Sequence, residues 1–505
     1  MIGFSRSIAL VGNPWYRHFF ADLGALIKQR HGAQLHVYCV SKEGCELFRA
    51  ADRRSVFTSF NVMPSSATYQ PGAPLNEVDV VARARQFEGK YDLTYNCLMV
   101  SDRLFGRGYA PGGYHHPRSL QSEAGSIVDA LHIYNRQFEF WEQEFATKRH
   151  DMIMEVNNPL QAVVARKHGA LVRNPTPARH RNLYYWTTDE YGYCDGVEQV
   201  FRSRRPLAGE GLAGAPHQGK MFNEEAIRSF RLRGVVGAMV RHTRNHLEWR
   251  LRGYFKARQY RWREQIALAW RRRRDYLVVS GPRTTRLAEL KGRQFVFYAM
   301  HVEPELWFQG RSPEYFYQHA AIVSLSRDLP AGVILAVKEH HPGIGRRPDG
   351  FYDQILDLKN VRLIHVDDPG LQVVHEASAI ATISGTVGQE AAVLGKPVIT
   401  FGRHNLYNVL DHVRVVTREE DLKPALAWAL DNSGTRAEFR RDGERFLASV
   451  VASSFDMKAF TARTIQAYDA ESVEQAYGRL VESLQLQGGG ALSSLPTDAS
   501  VGRIA

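Results

Sequence analysis

Short apolar runs that stop at a glycine, a serine or a charged residue and hand over to a helical pattern occur in two separate series along this chain. The first opens with SIALVG and LHVYCV, which flank a helical pattern over residues 18–29. Strand, helix, strand requires a crossover connection, so the two strands pair in parallel in a sheet covered on both faces. This predicts a Rossmann-like domain, continued by the strand candidates YDLTYNCLMV (91–100) and DMIMEV (151–156), with a long helix over 126–145. The second series runs from QFVFYAM (294–300) through AGVILAVKEH (331–340), VRLIHV (361–366) and ASAIATI (377–383) to KPVITFG (396–402). It predicts a second doubly wound domain, and 505 residues give length enough for both.

A stretch rich in Gly, Ala and Pro over 206–219 breaks the pattern and reads as a linker. The expected division is an N-terminal Rossmann-like domain over 1–205, linker and basic helical segment over 206–280, and a C-terminal Rossmann-like domain over 281–454. Closing helices over 455–485 and a disordered Gly/Ser-rich tail over 486–505 follow.

The net charge is +12, and its placement says more than its size. Arginines recur from 228 to 274, ending in Arg271, Arg272, Arg273 and Arg274, with Trp249, Tyr254, Phe255, Tyr260, Trp262 and Trp270 between them. Basic residues interleaved with aromatics fit a helix on an anionic membrane surface. They also fit nucleic acid, or a solvated hairpin packed on the domains. No apolar run approaches the ~20 residues that cross a bilayer, and the apolar start breaks early at Gly12, Asn13 and Pro14. Cys39, Cys45, Cys97 and Cys194 lack the close pairs of a zinc site and are too few for a disulfide scaffold. A cytoplasmic protein is expected, with any membrane attachment peripheral.

Three strand ends carry polar clusters. In SGTVGQEAAVLGKPVITFG (384–402), Ser384, Gly385 and Thr386 lead from a strand into a helix that Gly395 ends. The backbone N–H groups at such a helix start form an anion site, and a plain N-cap is the simpler alternative. Glu390 lies one turn on, where it can accept from ribose hydroxyls or face solvent. In LAVKEHHPG (335–343), a strand ends in Lys338, Glu339, His340, His341 and Pro342, at the edge where open parallel sheets bind ligands. In FYAMHVEPELWFQG (297–310), His301, Glu303 and Glu305 follow a strand, and the glutamates suit acid/base work, sugar hydroxyls or a helix start.

In this order the three clusters resemble the capsule polysaccharide biosynthesis family of bacteria, whose members look like retaining transferases of 3-deoxy-D-manno-oct-2-ulosonic acid (Kdo) from CMP-Kdo. The resemblance covers roughly residues 294–410 and is thin over the N-terminal half. It implies a GT-B fold, two Rossmann-like domains facing a cleft. CMP would be held by His341, Pro342, Ser384, Gly385 and Thr386, with Glu390 on the ribose. Here K-E-H-H-P replaces a single His before Pro, and His341 is favoured because it precedes Pro342. No metal and no cofactor are implied, the CMP-sugar being a substrate. The partners implied are that donor, a glycan or glycolipid acceptor, and an anionic inner-membrane surface rather than nucleic acid.

Glu303 and His341 are the catalytic candidates of the C-terminal half, and Lys338 is placed to hold the leaving phosphate. Retention also needs a carboxylate nucleophile from the other domain, for which Asp102 is the candidate, just past the expected strand 91–100. A surface Asp paired with Arg103 is the alternative. Arg103, Tyr109, His115 and His116 share its loop and suit an anionic sugar, while Asn157 and Asn158 mark a second strand end. A sugar-nucleotide epimerase of the same fold and a non-catalytic membrane-associated assembly factor are the competing readings.

Overall fold

The central strands of the first series are buried almost throughout, as a sheet covered on both faces requires, while the edge strand Phe57–Val62 is half-exposed. β1 (Ser7–Val11), β2 (Gln34–Cys39), β3 (Phe57–Val62), β4 (Met152–Met154) and β5 (Leu171–Arg173) pair in parallel in the order β3-β2-β1-β4-β5. This is a computed structural model, and it describes residues 6–69, 72, 74–102, 105, 113–117, 125–204, 225–254, 257, 260–303, 315 and 317–489. The chain then makes β6 (Pro175–Pro177) and β7 (Leu183–Trp186), an antiparallel pair at the crossing between the two halves.

The second series forms β8 (Phe295–Ala299), β9 (Ile334–Lys338), β10 (Val361–Ile364), β11 (Ala379–Thr382), β12 (Val398–Thr400) and β13 (Val413–Val415). They are parallel in the order β10-β9-β8-β11-β12-β13. In both sheets the strand order reverses beside the first strand, between β1 and β4 and between β8 and β11. Such a reversal opens a crevice at the carboxyl ends of the strands, where open α/β sheets bind ligands. The linking segment after β6 touches the second crevice: Gln389 Nε2 donates to Ala178 O at 3.1 Å, and the Arg179 guanidinium donates to Thr386 Oγ1. Two Rossmann-like domains facing a cleft, the GT-B arrangement, are thus present. β14 (Phe455–Asp456) returns to pair with β7, and helix Ala470–Gly489 closes back on the N-terminal domain, where Trp186 Nε1 donates to Ala476 O at 2.8 Å.

The structure departs from the sequence expectations in two places. Residues 91–100 are no strand: helix Glu77–Tyr91 ends there and a helical turn, Tyr95–Met99, follows behind a Thr94 cap. Tyr91, Tyr95, Leu98 and Met99 repeat at helical spacing, and both tyrosines stack on Phe138, at 5.0 and 5.3 Å between ring centres. Helix Asp195–Arg202 packs on helix Ala437–Ala452 of the second body, with the Phe201 and Phe446 rings 6.2 Å apart. Finally, the four-arginine run is not a free patch. The basic segment folds as helices Leu232–Leu251 and Trp262–Val279, and its end is tied to the C-terminal domain. Arg271 pairs with Asp349 at 2.6 Å, Arg274 with Asp275 and Asp349, and Arg273 donates to Phe230 O; Arg272 lies over the Phe230 ring. The linker 206–219 and residues 490–505 of the tail lie outside the described residues.

Candidate functional site

The crevice between β8 and β11 is closed by backbone rather than by long side chains. Ser384 N donates to His301 Nε2 at 3.2 Å, and Gly385 N donates to Thr382 Oγ1 at 3.1 Å. A Cβ on Gly385 would stand 2.9 Å from Thr382 Oγ1 and 3.1 Å from His301 Nε2, so glycine is what lets the two loops meet. As the acceptor, His301 Nε2 leaves the ring proton on Nδ1. Burial holds the His301 pKa down to about 3, with His340, Arg347 and Arg179 adding to the effect, so the ring is neutral at pH 7. Helix Thr386–Val393 starts at this closure and directs its positive end into the crevice; Gly395, at φ 75°, ends it where a Cβ would meet Arg440 N at 2.5 Å. Glu390, one turn in, is half-buried, and burial pushes its carboxyl up to about 7 against the pull of Arg179.

At the end of β9 the K-E-H-H-P cluster divides. Glu339 and Glu303 are both fully buried on one guanidinium. Arg347 meets Glu339 through Nε and an Nη, at 2.7 and 2.8 Å, and Glu303 through the other Nη at 2.8 Å, and it donates to His301 O at 2.5 Å. Tyr114 from the N-terminal half adds a bond to Glu303 at 2.9 Å, Gln318 donates to both Glu303 oxygens, and Tyr352 donates to Glu339. Burial raises Glu303 despite Arg347, whereas on Glu339 the bidentate guanidinium outweighs burial and lowers it. Glu303, proposed from sequence for catalysis, therefore ties the β8 and β9 loops together and holds no carboxylate oxygen toward solvent. Lys338 Nζ donates to Val366 O at 2.8 Å. His341 is buried, its Nε2 3.3 Å from Asp367 Oδ1, while His340 is exposed at the same strand end, with Pro342 exposed beyond it. Burial shifts the His341 ring down.

In the N-terminal half, Asp102 follows a helical turn and accepts from Ser66 Oγ at 2.8 Å and from Phe105 N at 3.3 Å. Arg103, Tyr109 and Glu305 lie outside the described residues. His115 N donates to Arg346 O at 2.8 Å, and the His116 ring lies 5.8 Å from Tyr260, so this loop docks on the second domain and its basic hairpin. Asn158 caps helix Pro159–Lys167 in a reciprocal pair with Gln161, and Asn157 N also donates to Gln161.

Sequence reasoning missed the residues at the β1/β4 reversal. Asn13 Nδ2, past the end of β1, donates to Glu155 Oε1, past the end of β4, at 2.9 Å. Glu155 sits at φ 59°, a left-handed conformation that a side chain adopts at a cost of order 1–3 kcal/mol and that clusters at functional sites. Burial raises its carboxyl to about 7, with Asn13 opposing. The sequence signal was there, a lone acid ending the apolar run MIM, but nothing linked it to Asn13.

The chain matches no family model and no curated relative. Among solved structures it is similar to KpsC, a beta Kdo 2,4 transferase of Thermosulfurimonas dismutans, at 14% identity over 59% of this chain and 79% of that one, with a TM-score of 0.29. An S. aureus MnaA–UDP co-structure matches at 9% identity over 96% and 98%, TM-score 0.27. The UDP-GlcNAc 2-epimerase of Neisseria meningitidis, bound to UDP-GlcNAc, matches at 8% identity over 95% and 99%, TM-score 0.26. Likeness of that degree adds nothing to what the two sheets themselves establish.

Proposed function

We propose that this protein is a glycosyltransferase that moves Kdo, or a related acidic sugar, from a CMP donor to a surface-polysaccharide or lipid-linked glycan acceptor with retention of configuration. The observation that carries the reading is the β8/β11 crevice, where the Ser384 and Gly385 backbone closes on a neutral His301 beneath a helix N-terminus. An arriving phosphate gains the helix end and the Arg179 guanidinium, which already donates to Thr386 Oγ1, together. His340, rather than the buried His341, supplies the imidazole at the β9 end. Glu390 meets the ribose, and Lys338 adds positive potential behind the phosphate.

Retention with a covalent intermediate divides the N-terminal chemistry between two carboxylates. Asp102 attacks the anomeric carbon as the bond to the CMP phosphate breaks and CMP leaves as an anion. The acceptor hydroxyl then displaces Asp102, and its proton passes to Glu155, whose carboxyl exchanges protons near neutral pH.

Calorimetric titration with CMP, UDP, GDP and ADP tests the donor class. CMP is expected to bind, and His340→Ala and Thr386→Val each to weaken it by about 1–3 kcal/mol, the scale of a lost charge-assisted hydrogen bond. Preference for UDP, with turnover of the donor in the absence of any acceptor, would replace this reading by the epimerase one.

A further inference from the structure

The basic hairpin has an inner and an outer face. Inward, Val235, Ala238 and Ala269 pack between its two helices. Outward, Leu232, Val236, Val240, Leu247 and Leu251 are exposed, Val240 at 65% and Leu251 at 89%. Their spacings of four, four, seven and four residues keep them on one side of helix Leu232–Leu251, a stripe roughly 28 Å long. Arg233, Arg241, Arg244, Arg250 and Arg252 are exposed along the same helix, and Glu248, salt-bridged to Arg252 at 3.1 Å, is its one acid. On the second helix Trp262 and Trp270 are also exposed.

We propose that the outer face of helix Leu232–Leu251 docks this protein on an anionic lipid surface. A continuous aliphatic stripe costs free energy in water and gains none against a polyphosphate backbone, which rewards charge and hydrogen bonding alone. A bilayer interface rewards both features at once: the aliphatic side chains enter the boundary of headgroup and acyl chain while the arginines reach lipid phosphate. Among the described residues no helix is long and apolar enough to cross the membrane, so this contact lies in the interface plane. The run 271–274 is spent elsewhere. Arg271 and Arg274 both pair with Asp349, and Phe230 and Val279 pack into the core of the nucleotide-side domain, so the hairpin is fixed to the domain that carries the crevice. This extends the reading of a lipid-linked acceptor, for it brings the cleft to the surface where such an acceptor resides.

The test uses no sugar nucleotide, so its failure is distinct from failure of the CMP reading. The full chain is sedimented with vesicles of phosphatidylcholine alone and of phosphatidylcholine with phosphatidylglycerol. Binding is expected only to the second, weakening with salt. Arg233→Ser, Arg241→Ser and Arg244→Ser combined should reduce it about a hundredfold, at ~1 kcal/mol for each basic residue. Val236→Ser, Val240→Ser and Leu247→Ser combined should reduce it by at least about tenfold, from lost apolar burial. All six side chains are exposed, so unchanged melting curves report that both variants fold. Arg274→Ser should leave vesicle binding as it was. Equal binding to both vesicle types, or full binding by either triple variant, overturns the proposal. Tight duplex DNA binding that depends on the arginines and not on the aliphatic stripe assigns the face to nucleic acid instead.

Discussion

Arg347 offers the sharpest test of how the crevice is held. Its guanidinium is fully buried and shared by two fully buried carboxylates, Glu303 and Glu339, through three charge-assisted bonds of 2.7–2.8 Å. Arg347→Met keeps an unbranched apolar stem but removes the guanidinium, which lies over the Phe351 ring, and leaves both acids without their cation. Breaking a buried pair in this way costs about 3–5 kcal/mol, far above the worth of an exposed pair. For a domain of this size that lowers the melting temperature by roughly 6–20 °C. The pH dependence separates this from a packing defect. In the variant both carboxyls are pushed above their unfolded values, so the folded state holds protons that the unfolded chain releases. The deficit then grows as pH rises above about 4.5, by up to ~1.4 kcal/mol per unit for each carboxyl until its raised pKa is passed. Calorimetric melting of wild type and variant at about pH 5 and pH 8 reads both effects. A loss under about 1 kcal/mol, or one that does not change with pH, would refute the account.

Three further outcomes are expected. Buried His150 bonds Ser7 Oγ at 2.8 Å and Tyr38 OH at 2.7 Å, beside Glu144, Lys148 and His36, and burial holds its pKa down to about 3. The unfolded chain therefore protonates first: N-terminal stability is full above about pH 6.5 and falls toward pH 3 by ~1.4 kcal/mol per unit, a slope that His150→Gln should flatten in urea titrations at stepped pH. Glu155→Gln should lower transfer about 10²–10⁴-fold and remove the limb of the pH–rate profile near pH 7, with CMP affinity unchanged; a profile that keeps that limb takes Glu155 out of proton transfer. Asp102→Asn should abolish the sugar adduct seen by intact mass, and an adduct that persists moves the nucleophile elsewhere.

The C-terminal sheet was legible because its evidence is local. Each of its strands through β12 is an apolar run a few residues long, and the turn of Ser384, Gly385 and Thr386 into a helix can be read within one window. The division of labour at the β9 end was not. His340 and His341 are adjacent and chemically identical, and only the fold shows that Asp367 and Phe230 enclose one while the other is exposed. The tie of Glu303 to Arg347 was not legible because the two lie 44 residues apart. The stretch 91–100 misled for another reason: tyrosine serves strands and helices alike, and the helical spacing mattered more than composition.

The N-terminal crevice shows the same limit at longer range. Asn13 and Glu155 are separated by 142 residues and become neighbours only because the strand order reverses between β1 and β4. That reversal repeats at β8 and β11, so each domain brings polar groups to the same topological place, and the chain crosses between them through β6 and β7. Arg179 stands two residues past β6, at φ 59°, with its guanidinium on Thr386 Oγ1 at the start of the second domain's helix. The crossing segment is thus part of the proposed anion site. In the proposed reading, a phosphate held at Thr386 would draw on a cation from the connection as well as on the helix end, and that would couple donor binding to the relative placement of the two domains.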